Sequence, residues 1–391
     1  MAGDLTASHA RYPRIRVSGS PRERGRRYGE GARLQVQRSL QAYEQVFMHY
    51  AGWDWPRVTA QALLFEAPVQ AYDERYLEEM AGIAEGAGAA YEDVLALNVR
   101  TEVMFSATAR SACEGRRPGE CSSFALLPPA TRDGVTLIGQ NWDWLPHSFQ
   151  TVVVLEAEQP DRPDFVTMVE AGLLAKAGMN ASGVGLATNA LVTLDDKGMP
   201  GIPYHVVLRA ILDAETITDA LAAIQRRPRA SAANYLIAHR DGLAIDVETA
   251  PGDFSSIWLI HPEQGVLLHT NHFIAPTFSG RDVSLWAMPD SAFRLGRLTA
   301  LVREGAVDDV DGLQRVLADH AGHPFGICCH PDPRVASVHD QGATVVSMVM
   351  NLDRGEIWAS EGHPCEQSFH ELGCAGFLTG ARSAVAEGAG R

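Results

Sequence analysis

"GECSSFALLPPATRDGVTLIGQNWDW", residues 119–144, sets a cysteine at the threshold of an apolar run, then a turn at Arg132-Asp133-Gly134, then a second run ending in polar groups. Ser122 to Leu127 and Val135 to Asn141 read as two strands joined by that turn. Such a hairpin returns Gln140, Asn141, Trp142 and Asp143 to the neighbourhood of Cys121. The stretch also marks a change of period. Residues before it are spaced as helices, and those after it as strands.

Upstream, Ser20-Pro21-Arg22-Glu23 is a capping box with proline at the first helical position, and Leu34, Leu40, Val46 and Phe47 follow at helical spacing. Tyr76 to Ala90 and Glu92 to Val103 give two more helical patterns, with the glycines of EGAGAAY expected at a helix end and a tight turn. Downstream, Thr151 to Glu156, Phe165 to Glu170, NYLIAHRDGLAIDVETA and GVLLHTNHF read as strands, and ATVVSMVMNLDRGEIWAS as a closing hairpin. Pro203 to Ala214, Thr216 to Arg226, Asp290 to Arg303 and Val310 to His320 read as helices. Strand blocks alternating with helix pairs predict an α+β fold in which helices pack on two stacked antiparallel sheets. Residues 1–120 form a helical lead-in, and 121–391 the main body.

The composition narrows the partners. A chain of 391 residues with 46% hydrophobic content can bury a large core. Its formal net charge of -15 argues against nucleic acid, since phosphate binding needs clustered positive charge. Nearly all of its 33 basic residues are arginines, as suits a base-composition bias accompanied by many Ala, Gly and Asp residues. No stretch has the length and apolarity of a secretory signal or a membrane span, so the expected location is the cytoplasm, away from membranes. Six cysteines in a chain of this size are too few for a disulfide framework.

Cysteine is among the most buried residue types, and an isolated one is usually inert core. The position of Cys121 gives it another use. A cut just before it would create a chain terminus whose α-amine, with an ordinary pKa of about 8, can accept the proton of its own thiol. No histidine partner is then required.

GECSSF followed by GQNWDW resembles the isopenicillin N (acyl-coenzyme A:6-aminopenicillanate) acyltransferase family, self-processing members of the N-terminal-nucleophile hydrolase superfamily. EGAGAAYEDVLALN (85–98), GMNASGVGLATNAL (178–191), LLHTNHF (267–273), PDSAFRLGRL (289–298) and GICCHP (326–331) are similar to further family segments in the same order. The resemblance implies a four-layer helix, sheet, sheet, helix sandwich, cut between Glu120 and Cys121 into a smaller α and a larger β subunit. It implies Cys121 as nucleophile, its freed amine as base and Asp143 as the group that orients the amine. Asn271 would donate its amide to the tetrahedral oxyanion. Asn189 matches a second site asparagine of the related bile-salt hydrolases and penicillin V amidases, and Arg294 a site arginine beside which Ser291 lies. Two residues depart from the pattern. Glu120 stands where the penicillin enzyme has glycine, and Gln140 where bile-salt hydrolases carry arginine, which favours the acyltransferase side.

The expected activity is attack of Cys121 on an N-acyl amide or acyl thioester, giving an S-acyl enzyme that water or an amine then relieves. Amidohydrolase and acyltransferase differ only in that acceptor, and a non-catalytic binding protein of the same fold is the alternative from another class. Trp142, Trp144 and Phe149, with His147, point to an apolar or aromatic acyl group. No cofactor is needed, although a coenzyme A thioester could supply the acyl group. Cys328, Cys329, His330, His339, His363, Cys365, His370 and Cys374 lack the paired spacing of zinc ligands, so no metal is expected and chelation should change neither fold nor activity. GxSxG elbows, P-loops and dinucleotide fingerprints are missing from the sequence.

Overall fold

The computed structural model describes residues 11–108 and 121–380. The described residues open on a short strand, β1 (Arg14–Ser18), that the helical reading of the lead-in did not include. Helices α1 (Pro21–Gly31), α2 (Arg33–Ala51), α3 (Trp55–Ala62), α4 (Glu66–Ala87), α5 (Tyr91–Asn98) and α6 (Arg100–Thr108) follow. The start of α1 behaves as its sequence indicates: the Glu23 carboxylate accepts from the Ser20 N–H at 2.9 Å and from its hydroxyl at 2.7 Å. Helices α1 and α4 touch backbone to backbone. A Cβ on Gly25 would lie 2.0 Å from the Glu79 carbonyl, and one on Gly86 would lie 2.0 Å from that of Arg26. Of the glycines in EGAGAAY, Gly86 therefore serves this close approach, whereas Gly88, at φ 69°, ends α4.

The hairpin of β2 (Cys121–Leu126) and β3 (Leu137–Trp144) comes next, and then β4 (Val152–Glu158), β5 (Phe165–Glu170), β6 (Gly178–Asn180) and β7 (Val184–Ala190). Helices α7 (Tyr204–Leu212) and α8 (Ile217–Gln225) lead into β8 (Ala233–His239), β9 (Leu243–Thr249), β10 (Ile257–Ile260) and β11 (Val266–His269). The last third holds α9 (Ser284–Ala287), α10 (Ser291–Thr299), α11 (Val310–Leu317), β12 (Ala343–Asn351), β13 (Glu356–Glu361), β14 (His370–Glu371) and α12 (Ala375–Leu378).

The strands form two sheets. One has eight strands in the order β1-β4-β5-β6-β7-β8-β9-β10, and the other six in the order β11-β2-β3-β12-β13-β14. All pairings are antiparallel except that of β1 with β4. Alternate side chains assign the faces. In β4, Val152 and Val154 point into the core between the sheets, while Val153 and Leu155 point into the core under the helices. Both faces of the large sheet are covered, which explains why its strands read as continuous apolar runs. In β2, Cys121 and Ala125 face the inter-sheet core, and Phe124 and Leu126 pack outward against Leu298, Leu313 and Val316. The order of layers is helix, sheet, sheet, helix, and the fold is α+β as expected. No helix among the described residues is long and apolar enough to cross a membrane.

Candidate active site

Cys121 is the first residue of β2 and pairs with Trp142 of β3, so a central hairpin of the smaller sheet fixes its backbone. Three other parts of the fold converge on it. Its N–H donates to Asn271 Oδ1 at 2.6 Å, just beyond β11. Its carbonyl accepts from Arg294 Nη1 of α10 at 2.7 Å and from Asn189 Nδ2 of β7, in the other sheet, at 3.2 Å. Arg294 is fully buried and balanced by Asp290 one helical turn earlier, at 2.7 Å. It also reaches Ser122 Oγ at 3.1 Å and Asn271 Oδ1 at 3.0 Å.

The two asparagines face the cysteine with opposite ends. Asn271 Oδ1 takes two donors, the Cys121 N–H and Arg294, while its amide donates to the Ala190 carbonyl at 2.9 Å. Asn189 Oδ1 takes Ser123 Oγ at 2.7 Å and Asn234 Nδ2 at 3.1 Å, which turns its NH2 toward Cys121. Donors can bond only to the oxygen end of an amide, so these partners fix both orientations. Ser291 stands behind Asn271, accepting its N–H at 2.7 Å.

Asp143 is buried next to the cysteine in sequence register, and Thr344 Oγ1 donates to its carboxylate at 2.5 Å. Thr344 is held there by a bulge, since Thr344 pairs with Asp143 and Val346 with Trp142, leaving Val345 as the extra residue. Burial pushes the Cys121 thiol up to about 11; the positive charge of Lys176 pulls it down and the carboxylate of Asp143 pushes it up. The thiol is therefore neutral at pH 7.

The cysteine opens onto a cavity of about 150 Å³ whose walls include Trp142, Trp144, Tyr204, Arg100 and Lys176. Lys176 lies in the connection from β5 to β6, with Nζ over the rings of Trp142 at 4.8 Å and Tyr204 at 5.6 Å. Burial lowers its pKa to about 8. Among the described residues its ammonium has no ion-pair partner, unlike Arg100, which bonds Glu170 at 2.6 Å. Burial would raise the Glu170 pKa, but Arg100 and His147 outweigh it and bring it down to about 2.

Of the expected binding residues, Trp142 and Trp144 line the cavity. Phe149 does not; its ring stands edge-on to His363 at 5.6 Å. Ser291 supports Asn271 instead of facing the cavity. Gln140 bridges the sheets, with its side-chain oxygen accepting the Thr188 N–H at 2.7 Å. His147 is engaged with Glu170 at 3.2 Å, and His272 with Ser291 at 2.8 Å. The sequence reading passed over Lys176, Arg100 and Asn234. Lys176 had a signal, being one of two lysines in an arginine-rich chain and set in the apolar run GLLAKAGM. Glu120 and the bond before Cys121 lie outside the described residues.

Residues 130–365 match the family described as acyl-coenzyme A:6-aminopenicillanic acid acyl-transferase, a match that begins after Cys121 and spans more than half of the chain. The chain belongs to that family. It is 28% identical over 255 residues to the acyl-coenzyme A:6-aminopenicillanic-acid-acyltransferase 40 kDa form of Emericella nidulans, covering 65% of this chain and 67% of that protein. It is 25% identical over 343 residues to an uncharacterized protein of Archaeoglobus fulgidus, covering 77% of this chain and 57% of the other. Among solved structures, a conjugated bile acid hydrolase from Clostridium perfringens is similar at 16% identity and a TM-score of 0.42, over 62% of this chain and 89% of that one. A penicillin V acylase from Agrobacterium tumefaciens is similar at 14% identity and a TM-score of 0.39, over 62% and 83%.

Proposed function

We propose that the protein is a self-activating cysteine amidohydrolase or acyltransferase that works through an S-acyl intermediate on Cys121. The observation that carries this reading is the convergence of Asn189, Asn271 and Arg294 on the backbone of a cysteine that opens a strand and borders a cavity. Once the bond before Cys121 is cut, the amide N–H that meets Asn271 Oδ1 becomes an amine in the same place. That amine takes the thiol proton, the thiolate attacks the acyl carbon, and the proton passes to the departing amine or thiol. Asn271 thus holds the amine through its oxygen, a task beside the oxyanion donation that its motif implies for its amide. Asn189, with its NH2 turned toward the Cys121 backbone, is a second donor proposed for a developing oxyanion.

The cavity supports a substrate with an apolar or aromatic body and one anionic group. Trp142, Trp144 and Tyr204 supply the apolar walls, and Lys176 supplies the unmatched positive charge. A coenzyme A thioester remains an eligible acyl donor. Rapid-quench intact mass spectrometry with a panel of N-acyl amides, N-acyl amino acids and acyl thioesters tests the reading. An acyl mass on the peptide beginning at Cys121 is expected, and turnover without any adduct in rapidly quenched samples would sink it.

Asp143→Asn should fold yet lose most turnover, because a neutral amide no longer favours the protonated amine beside the thiolate. Turnover equal to wild type would remove Asp143 from the mechanism. Lys176→Met should lower kcat/KM for acidic substrates while raising Tm at pH 7. The folded chain holds the Lys176 proton less tightly than the unfolded chain does, so the cost of burying that charge is fully present below pH about 8. The Tm advantage of the variant should shrink as pH rises above that value. Equal Tm at pH 7 would mean that a partner in solution already offsets the charge.

A further inference from the structure

Four potential metal ligands that are scattered in sequence meet in space. His320 follows α11, Cys328 and His330 lie in the loop before β12, and Cys365 lies just after β13; their donor atoms all fall within 4.8 Å of one another. Cys328 Sγ is 3.6 Å from Cys365 Sγ and 3.4 Å from His330 Nε2, and Cys365 Sγ is 3.3 Å from that same nitrogen. A zinc tetrahedron with Zn–S of about 2.3 Å and Zn–N of about 2.0 Å has edges of about 3.8 Å between sulfurs and about 3.5 Å from sulfur to nitrogen. These three edges lie within a few tenths of an ångström of those values, and the His320 donor lies within 4.8 Å of the other three. The opposite ring nitrogen of His330 looks toward Glu366 at 3.9 Å, the side on which a ligating imidazole usually has a carboxylate. Cys328 is buried, His320 is exposed and the other two are half-buried, so the cluster is reachable from solvent.

We propose that His320, Cys328, His330 and Cys365 bind one Zn²⁺ ion in a closed, structural site. Four protein donors leave no position open for substrate. The ion would fasten the loop between α11 and β12 to the turn after β13. That loop braces the candidate active site. Cys329, next to Cys328, donates its N–H to Thr344 Oγ1 at 2.9 Å, and Thr344 in turn donates to Asp143. The Ile327 carbonyl accepts from Asn141 Nδ2 at 2.8 Å. The expectation of no metal rested on spacing along the chain, and here tertiary folding does what spacing does not. Of the other residues in that sequence cluster, His370 pairs with Glu361 and Cys374 Sγ points to the Gly355 carbonyl.

The test is metal analysis of the full-length protein purified without a metal-affinity step, followed by chelation and titration with Zn²⁺ and with Co²⁺ as a spectroscopic probe. One zinc per chain is expected, with a Co²⁺ derivative that shows thiolate charge-transfer absorption. Chelation should lower Tm by several degrees and added Zn²⁺ should restore it. Because Cys328 is buried and its variants could misfold, Cys365→Ser and His320→Ala are the informative changes; each should stay folded and lose most of the bound zinc. Sub-stoichiometric metal both as purified and after Zn²⁺ addition would overturn the proposal. So would a Cys328–Cys365 disulfide in the peptide map of non-reduced protein, or a folded Cys365→Ser that keeps its zinc.

Discussion

Cys121→Ala is expected to run as one unbroken chain on a denaturing gel and to have no measurable turnover, where the wild type runs as two chains, the longer beginning Cys-Ser-Ser-Phe. In the proposed scheme the thiol alone can attack the Glu120 carbonyl and take the acyl group onto sulfur, which frees the amine; water then hydrolyses that thioester, cutting the chain and restoring the thiol. In the uncut chain burial holds that thiol up at about 11, so it cannot act as a free thiolate at neutral pH. Turnover of an external substrate therefore draws on a base, the amine that cleavage frees beside the thiol. The two products should remain together under native conditions. Strand β1 is hydrogen-bonded to β4, and the apolar faces of the N-terminal helices share one core with the large sheet, so separation would expose a large part of that core. Native mass spectrometry beside N-terminal sequencing would decide both points. A fully active wild type that remains a single chain would refute the terminal-amine mechanism. The search would then turn to a side-chain base, and the nearby histidines His147 and His272 are already engaged with Glu170 and Ser291.

Asn189→Ala should lower kcat by about 10²–10³-fold and leave KM nearly unchanged, the pattern of a donor used mainly in the transition state, worth about 3 kcal/mol of barrier. Its oxygen is occupied by Ser123 and Asn234, so its NH2 is already aimed before substrate arrives. Asn271→Ala should act on a different step. With the acceptor for the Cys121 nitrogen gone, processing itself should slow, and accumulation of uncut chain would separate that effect from slow turnover. A rise in KM alone for Asn189→Ala would make it a binding residue and leave the oxyanion to Asn271.

The sequence by itself determined the α+β class, the hairpin that begins at Cys121, and the polar residues Asp143, Asn189, Asn271 and Arg294 that gather at that cysteine. These were legible because strand and helix periods are local properties, and because motifs such as GECSSF and TNHF keep their order along the chain. The strand β1 was not legible: RIRVS is short, carries two arginines and runs into the helix-start signal at Ser20, and only its pairing with β4 makes it a strand. The direction of each asparagine amide was likewise invisible, since it depends on Arg294, Ser123 and Asn234 arriving from separate elements. Lys176 reads as one charge in an apolar run until the two sheets close over it and place it above Trp142. The Cys328 cluster carries the same lesson, because donors from residues 320 to 365 share no spacing rule and become neighbours only when α11 and β13 are folded onto the same sheet. Local periodicity fixes which elements form, whereas contacts between residues far apart in the chain are set by how those elements pack, and the chemistry of this protein rests on such contacts.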